Sequence, residues 1–120
     1  MIVSPAEIIR QLRQCIGTEH YYRTVFPNIV FTDGIKKMAE LCGAYWLIHV
    51  AVSYQYGKIA EEDFQIWRLE KLENSTWRVT MHSIDSEENL VAQNISYSDF
   101  PLDEFEFYLI DGVMLLKSEN

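Results

Sequence analysis

Hydrophobic and polar positions follow two rhythms along this chain, helical in the first half and strand-like in the second. Ile8, Ile9, Leu12, Cys15 and Ile16 recur at helical spacing, while Arg10, Arg13 and Gln14 face away. Ser4-Pro5-Ala6-Glu7 in front of them is a capping box with proline at the first helical position. The pattern predicts a helix over about 5–16, ended by Gly17. The longest apolar-rich stretch runs from Asp33 to Gln55 and predicts a second helix over about 33–55, with Asp33 as its N-cap. From Leu41 to Val52 that helix is apolar nearly all round, so it is expected to be covered on several sides. Gly43 lies inside it. An interior glycine costs about 1 kcal/mol relative to alanine, which predicts a packing reason for it. Between the helices, Phe26-Pro27-Asn28 reads as a turn and Ile29–Thr32 as a short strand, with His20–Arg23 as its hairpin partner.

After Gln55 the period shortens to two, and five strand signals come in succession with short connections. Phe64–Leu72 is apolar on both faces and reads as a central strand. Trp77, Val79, Met81 and Ser83 alternate with Arg78, Thr80 and His82, giving one dry and one wet face. Leu90–Tyr97 places Val91, Ile95 and Tyr97 on one side. Phe105, Phe107 and Leu109 alternate with Glu106 and Tyr108, and Asp111-Gly112 reads as a type I′ hairpin turn into the last strand. The expected fold is α+β, a single domain over 1–120. Two N-terminal helices pack on one face of a sheet of 4–6 antiparallel strands. The other face carries Arg78, Thr80, His82, Gln93 and Glu106. The strand order stays open between a meander and a cystatin-like curl.

Charge changes this picture. The chain of 120 residues has a net charge of −8, unevenly placed. Residues 1–60 carry six Lys and Arg against four carboxylates, and residues 61–120 carry four against fourteen. Direct nucleic-acid binding is disfavoured, because phosphate contact needs a basic surface. The acidity is expected to keep a small domain soluble, and the sharper reading is an acidic sheet surface for a basic protein partner. The start of the sequence lacks a basic stretch followed by an apolar one, so no signal peptide is expected. The central apolar run is too interrupted by Lys37, Glu40 and His49 to span a membrane. Cytoplasmic is therefore the expected location. Cys15 and Cys42 both lie on apolar helical faces and are expected as reduced thiols.

Candidate chemistry is sparse. Glu19, His20 and Arg23 form the densest polar cluster, and with Tyr22 and Asp33 they are the candidate ligand- or partner-binding residues. A histidine beside a carboxylate can act as a general base, and an arginine can hold a carboxylate or phosphate. The opposing reading is a hydrogen-bonded loop, with Arg23 paired to Glu19 or Asp33. Cys42 and His49 are two helical turns apart, about 10–11 Å, too far for a nucleophile–base pair. His49 is expected as a core histidine and His82 as a solvated one. No Cys-x-x-Cys or His-x₃-His spacing is present, so no metal site is expected. No catalytic residue and no cofactor are expected either.

Several blocks stand in order along the chain: Gly17-Thr18-Glu19-His20-x-Tyr22-Arg23, Thr32-Asp33-Gly34-Ile35-Lys36, and Gly43-Ala44-Tyr45-Trp46-Leu47. Ser53-x-Gln55, Phe64-Gln65-x-Trp67, Asp99-Phe100-Pro101-Leu102 and Asp111-Gly112-Val113 complete the set. Together they resemble a small bacterial family catalogued only as a domain of unknown function, seen in cyanobacteria and on mobile elements. The resemblance covers nearly the whole chain and implies a stand-alone domain, with no activity, cofactor or substrate attached. The leading expectation is a non-catalytic cytoplasmic interaction or accessory protein, acting through an acidic sheet surface or as a homodimer. The alternative is a small-molecule-binding domain or weak enzyme, with its site between the Glu19–Arg23 loop and the start of the central helix.

Overall fold

A computed structural model describes residues 3–120. Helix α1 spans Pro5–Arg13, with Ser4 as N-cap, its side chain accepting from the Glu7 N–H. It ends earlier than the spacing suggested. The Gln14 and Cys15 N–H groups donate to Gln11 and Leu12 carbonyls at 3.2 and 3.1 Å, tightening the last turn. Ile16 then projects into solvent.

Strands β1 (Tyr21–Arg23) and β2 (Val30–Thr32) form the expected hairpin. The chain then forms two helices, α2 (Asp33–Cys42) and α3 (Tyr45–Ser53), rather than one over 33–55. Gly43 breaks them apart. It adopts φ 61°, and the Ala44 N–H donates to the Ala39 carbonyl at 2.9 Å, the signature of a left-handed helix stop. An added Cβ at Gly43 would meet nothing within 4 Å, so the residue is needed for its backbone conformation and not for close packing. The N-cap of α2 is Thr32, whose hydroxyl accepts from the Ile35 N–H at 3.3 Å, and not Asp33. A short helix α4 (Gly57–Ala60) brings the α-helices to four instead of two among the described residues.

The remaining strands are β3 (Phe64–Lys71), β4 (Trp77–Ser83), β5 (Asn89–Ile95), β6 (Glu104–Ile110) and β7 (Val113–Leu116). They join the first two in one seven-stranded sheet, ordered β1-β2-β7-β6-β3-β4-β5. The sheet is mixed, not wholly antiparallel, and larger than 4–6 strands. β2 runs parallel to β7, with Val30 beside Val113 and Phe31 beside Met114. β3, β4 and β5 are successive hairpin partners, and β6 returns to the far side of β3. This is a Greek key, neither of the two orders left open. The Ser98–Asp103 connection that makes the return buries Phe100 against Trp77 and Phe105. Asp111 and Gly112 take φ 49° and 83°, as a type I′ turn requires.

α2 packs on β2, β7, α1 and α3, all on one side of the sheet. Trp67, Leu69, Val79, Met81, Phe107, Leu109 and Met114 meet Ile35, Met38, Leu47 and Val52 there. Gln93 also lies on this side, opposite Val79 in register, with its Oε1 accepting from the Tyr54 hydroxyl at 2.6 Å. The expected outward position for Gln93 is therefore wrong. So is the core position for His49, which is exposed on the solvent side of α3. His82 is half-buried, with Nδ1 within 2.9 and 2.8 Å of the Ser83 and Ser86 carbonyl oxygens.

Candidate functional site

The polar loop between α1 and β2 is organised by one carboxylate. Asp33 stands in the first turn of α2 and turns its side chain back to the loop. Its Oδ2 accepts from the Glu19 and His20 N–H groups at 2.9 and 3.3 Å, and its Oδ1 from the Tyr22 hydroxyl at 2.8 Å. The Asp33 N–H donates to Thr18 Oγ1 at 2.9 Å, and the Thr18 hydroxyl donates to the His20 carbonyl at 2.7 Å. The His20 ring lies 3.6 Å from the same carboxylate, mostly in solvent. Tyr22 stacks on Phe31, and Lys36 sits over its ring at 4.6 Å. Asp33 and Tyr22 thus hold the loop on the sheet. Arg23 makes no ion pair among the described residues, and Glu19, His20 and Arg23 are exposed. Two concavities, of about 780 and 470 Å³, open elsewhere on the molecule, and none of Glu19, His20, Tyr22, Arg23 or Asp33 lines either.

The donors around Asp33, first the Glu19 N–H and then the Tyr22 hydroxyl, lower its pKa from 3.8 to about 2. The same bond raises the Tyr22 pKa. Because the folded-state value of Asp33 is the lower one, the unfolded chain takes up this proton first on acidification. The stabilisation is complete above about pH 4 and is lost as pH falls towards 2. In thermal melts, Asp33→Asn should lie several degrees below wild type at pH 7. That gap should close between about pH 4 and 2.

Burial pushes the Cys42 thiol up to about 11 and also raises Cys15, and both cysteines are free. Among the described residues no group of three or more His, Cys, Asp or Glu is placed to hold a metal ion.

The second feature is the sheet face opposite the helices. Register places its side chains in rows across the strands. Val30, Val113, Ile110 and Phe64 form the first row, and Leu115, Tyr108, Ile66 and His82 the second. Phe64 and Tyr108 meet edge to face, 5.1 Å between centroids. The third row is Glu106, Arg68, Thr80 and Ala92, and the fourth is Glu104, Glu70, Arg78 and Asn94. Charges on these rows are matched: Arg68 reaches Glu104 at 2.6 Å and Glu70 at 3.7 Å, and Lys117 reaches Glu106 at 3.0 Å. One half of the open face is therefore apolar and the other is a neutralised ladder. Thr80, expected on a wet face, is buried within it.

Seven of the carboxylates without an ion pair among the described residues lie together at one end of the sheet. The Asp111 N–H donates to the Asp63 carbonyl at 2.9 Å and the Ile84 N–H to the Phe64 carbonyl at 3.1 Å. These bonds gather the segment entering β3, the β4–β5 loop and the β6–β7 turn. Glu61, Glu62, Asp63, Asp85, Glu87, Glu88 and Asp111 lie on them, next to the first apolar row.

A family of unknown function matches residues 6–120. The chain belongs to that family, DUF6876. No curated protein and no solved structure matches it. The DUF6876 match spans every strand and helix of the fold except the first residue of α1. No helix among the described residues is long and apolar enough to cross a membrane. Of the residues singled out in this DUF6876 chain, Asp33, Tyr22 and the backbone of Glu19 and His20 meet in one cluster, and the Arg23 side chain does not join it. Sequence reasoning missed the apolar half-face. Val30, Phe64, Ile66, Ile110, Val113 and Leu115 come from four strands, and only the pairing shows that they are neighbours.

Proposed function

We propose that the chain is a non-catalytic accessory protein of the cytoplasm that binds a basic, amphipathic segment of a protein partner. The observation that carries this is the junction of the apolar half-face with the acidic end. A partner helix or strand with one apolar side would cover Val113, Ile110, Phe64 and Tyr108, and its cations would meet the carboxylates beside them. Apolar area supplies affinity in such an arrangement and the charges supply rate and selectivity. This differs from an evenly acidic sheet surface, because the carboxylates on the face itself are already paired.

The test is capture from native-host lysate at low salt on three baits. One is wild type, one is Tyr108→Lys on the apolar rows, and one is Glu61→Gln/Glu87→Gln/Glu88→Gln at the acidic end. A basic protein should be held by wild type, released by salt, and lost from both variants. Capture that is equal on all three baits, or indifferent to salt, would defeat the proposal.

A further inference from the structure

β5 is an edge strand of seven residues whose outward backbone groups have no strand beside them. Sheet edges are ordinarily guarded by charge, proline, shortness or cover. The opposite edge, β1, has three residues and carries Arg23. β5 has none of these guards. Residues 89–98 read Asn-Leu-Val-Ala-Gln-Asn-Ile-Ser-Tyr-Ser, without one ionisable acid or base below the tyrosine range, in a chain that is 23 % charged. The single irregularity lies at one end, where the β4 pairing shifts between Met81 and His82, and leaves Val91–Ile95 regular. Leu90, within the strand, and Tyr97, just past it, are 44 % and 78 % exposed.

We propose that β5 pairs antiparallel with β5 of a second copy, about a two-fold axis perpendicular to the sheet. Such pairing requires no basic partner and leaves the surface proposed for one untouched. Among the ways of joining two copies, charge selects this geometry. Stacking two open faces with the strands in the same sense would set one acidic end over the other about 10 Å apart. Stacking them head to tail would lay the apolar rows on the charged ladder. Antiparallel edge pairing places Asp85, Glu87 and Glu88 of the two copies at opposite ends of the joined strands. In a register centred on Gln93, Glu88 of each copy lies five residues from the axis, so the two stand roughly 33 Å apart at about 3.3 Å per residue, well beyond a Debye length of about 8 Å. The helices of both copies then lie on the same side of one continuous sheet, and both apolar half-faces stay open.

The register that centres on Gln93 gives Val91 the Ile95 of the second copy as its neighbour on the helix side, a β-branched pair formed twice. On the open side Ala92 faces Asn94 of the other copy, and both are exposed in the single chain.

Sedimentation velocity over a concentration series, with two variants, tests this. Ala92→Lys/Asn94→Lys sets lysine against lysine twice across the axis, and dimerisation should weaken at least about tenfold. Ala92→Lys/Asn94→Glu sets lysine against glutamate twice and should dimerise at least as well as wild type. The two variants share the lysine at 92, so a cost of that residue to the strand itself appears in both. Added salt should strengthen the wild-type dimer by screening the net charge of −8 on each copy, the reverse of the effect on capture of a basic partner. A wild-type chain that stays monomeric at every concentration, or two variants that behave alike, would overturn the proposal.

Discussion

Gln65→Leu should cost about 3 kcal/mol or more and lower the melting temperature by roughly 10 °C. Leucine nearly matches glutamine in shape, so the loss is one of hydrogen bonding. Gln65 is buried in the middle of the sheet, and its carboxamide is fully used. Its Nε2 donates to Gln55 Oε1 at 2.9 Å and to the Ile59 and Glu62 carbonyls at 3.0 and 3.2 Å. Its Oε1 accepts from Gln55 Nε2 and from the Trp67 indole N–H, both at 2.9 Å. Leucine would strand the indole N–H of Trp67, which has no exposure to water. It would also free the carbonyls that hold α4 against the sheet. A stranded buried polar group costs about 1–3 kcal/mol, and at least two would be made. Gln55→Leu/Gln65→Leu should cost less than the sum of its parts, because the pair is removed together. A melt of Gln65→Leu within a degree or two of wild type would show the network to be energetically idle.

Glu119→Ala should cost about 2–3 kcal/mol, a large share for a side chain in the last turn of the domain. Residues Lys117–Glu119 form a 3₁₀ turn that brings this carboxylate to the start of α2. Oε1 accepts from the Thr32 hydroxyl at 2.6 Å and the Leu116 N–H at 2.9 Å, and Oε2 from the Gly34 N–H at 3.1 Å. Free N–H groups at a helix start favour a negative charge, and here the charge is built in. The carboxylate comes this close only because residue 34 has no side chain. A Cβ at Gly34 would fall 2.4 Å from Glu119 Oε1 and 2.7 Å from a Leu116 methyl. Gly34→Ala should therefore expel the carboxylate and reproduce most of the Glu119→Ala loss. The two changes combined should cost clearly less than their sum in chemical denaturation. Strict additivity would mean that Gly34 and Glu119 act separately.

What can be read from the sequence is whatever is decided locally. The Ser4 cap, the β1–β2 hairpin and the Asp111-Gly112 turn each depend on a few adjacent residues, and each is present. The helical rhythm carries across Gly43 without a gap, so the apolar pattern conceals a break that only a backbone angle reveals. Thr32 and Asp33 are both good caps, and the loop, which needs the carboxylate, decides between them. That competition is why the candidate cluster is legible while its emphasis is not. Its half-buried members, Tyr22 and Asp33, hold structure, and the side chains of its exposed members, Glu19, His20 and Arg23, are left over. The parallel pairing of β2 with β7 and the bond from Thr32 to Glu119, 87 residues apart, have no local signal. Gln65 sits in a strand apolar on both faces, and nothing in that run names Gln55 as its partner.

The place of β7 in the sheet also sets the order in which the chain can assemble as it is made. β2 has only β1 on one side and β7 on the other, and β7 is the last strand to leave the ribosome. Until it does, β1, β2 and α2 have no sheet to join, and the Greek key of β3 to β6 shows the ribosome an open edge where β7 belongs. The two halves are thus obliged to wait for each other. Completion of the sheet therefore has its slow step in a pairing of distant segments.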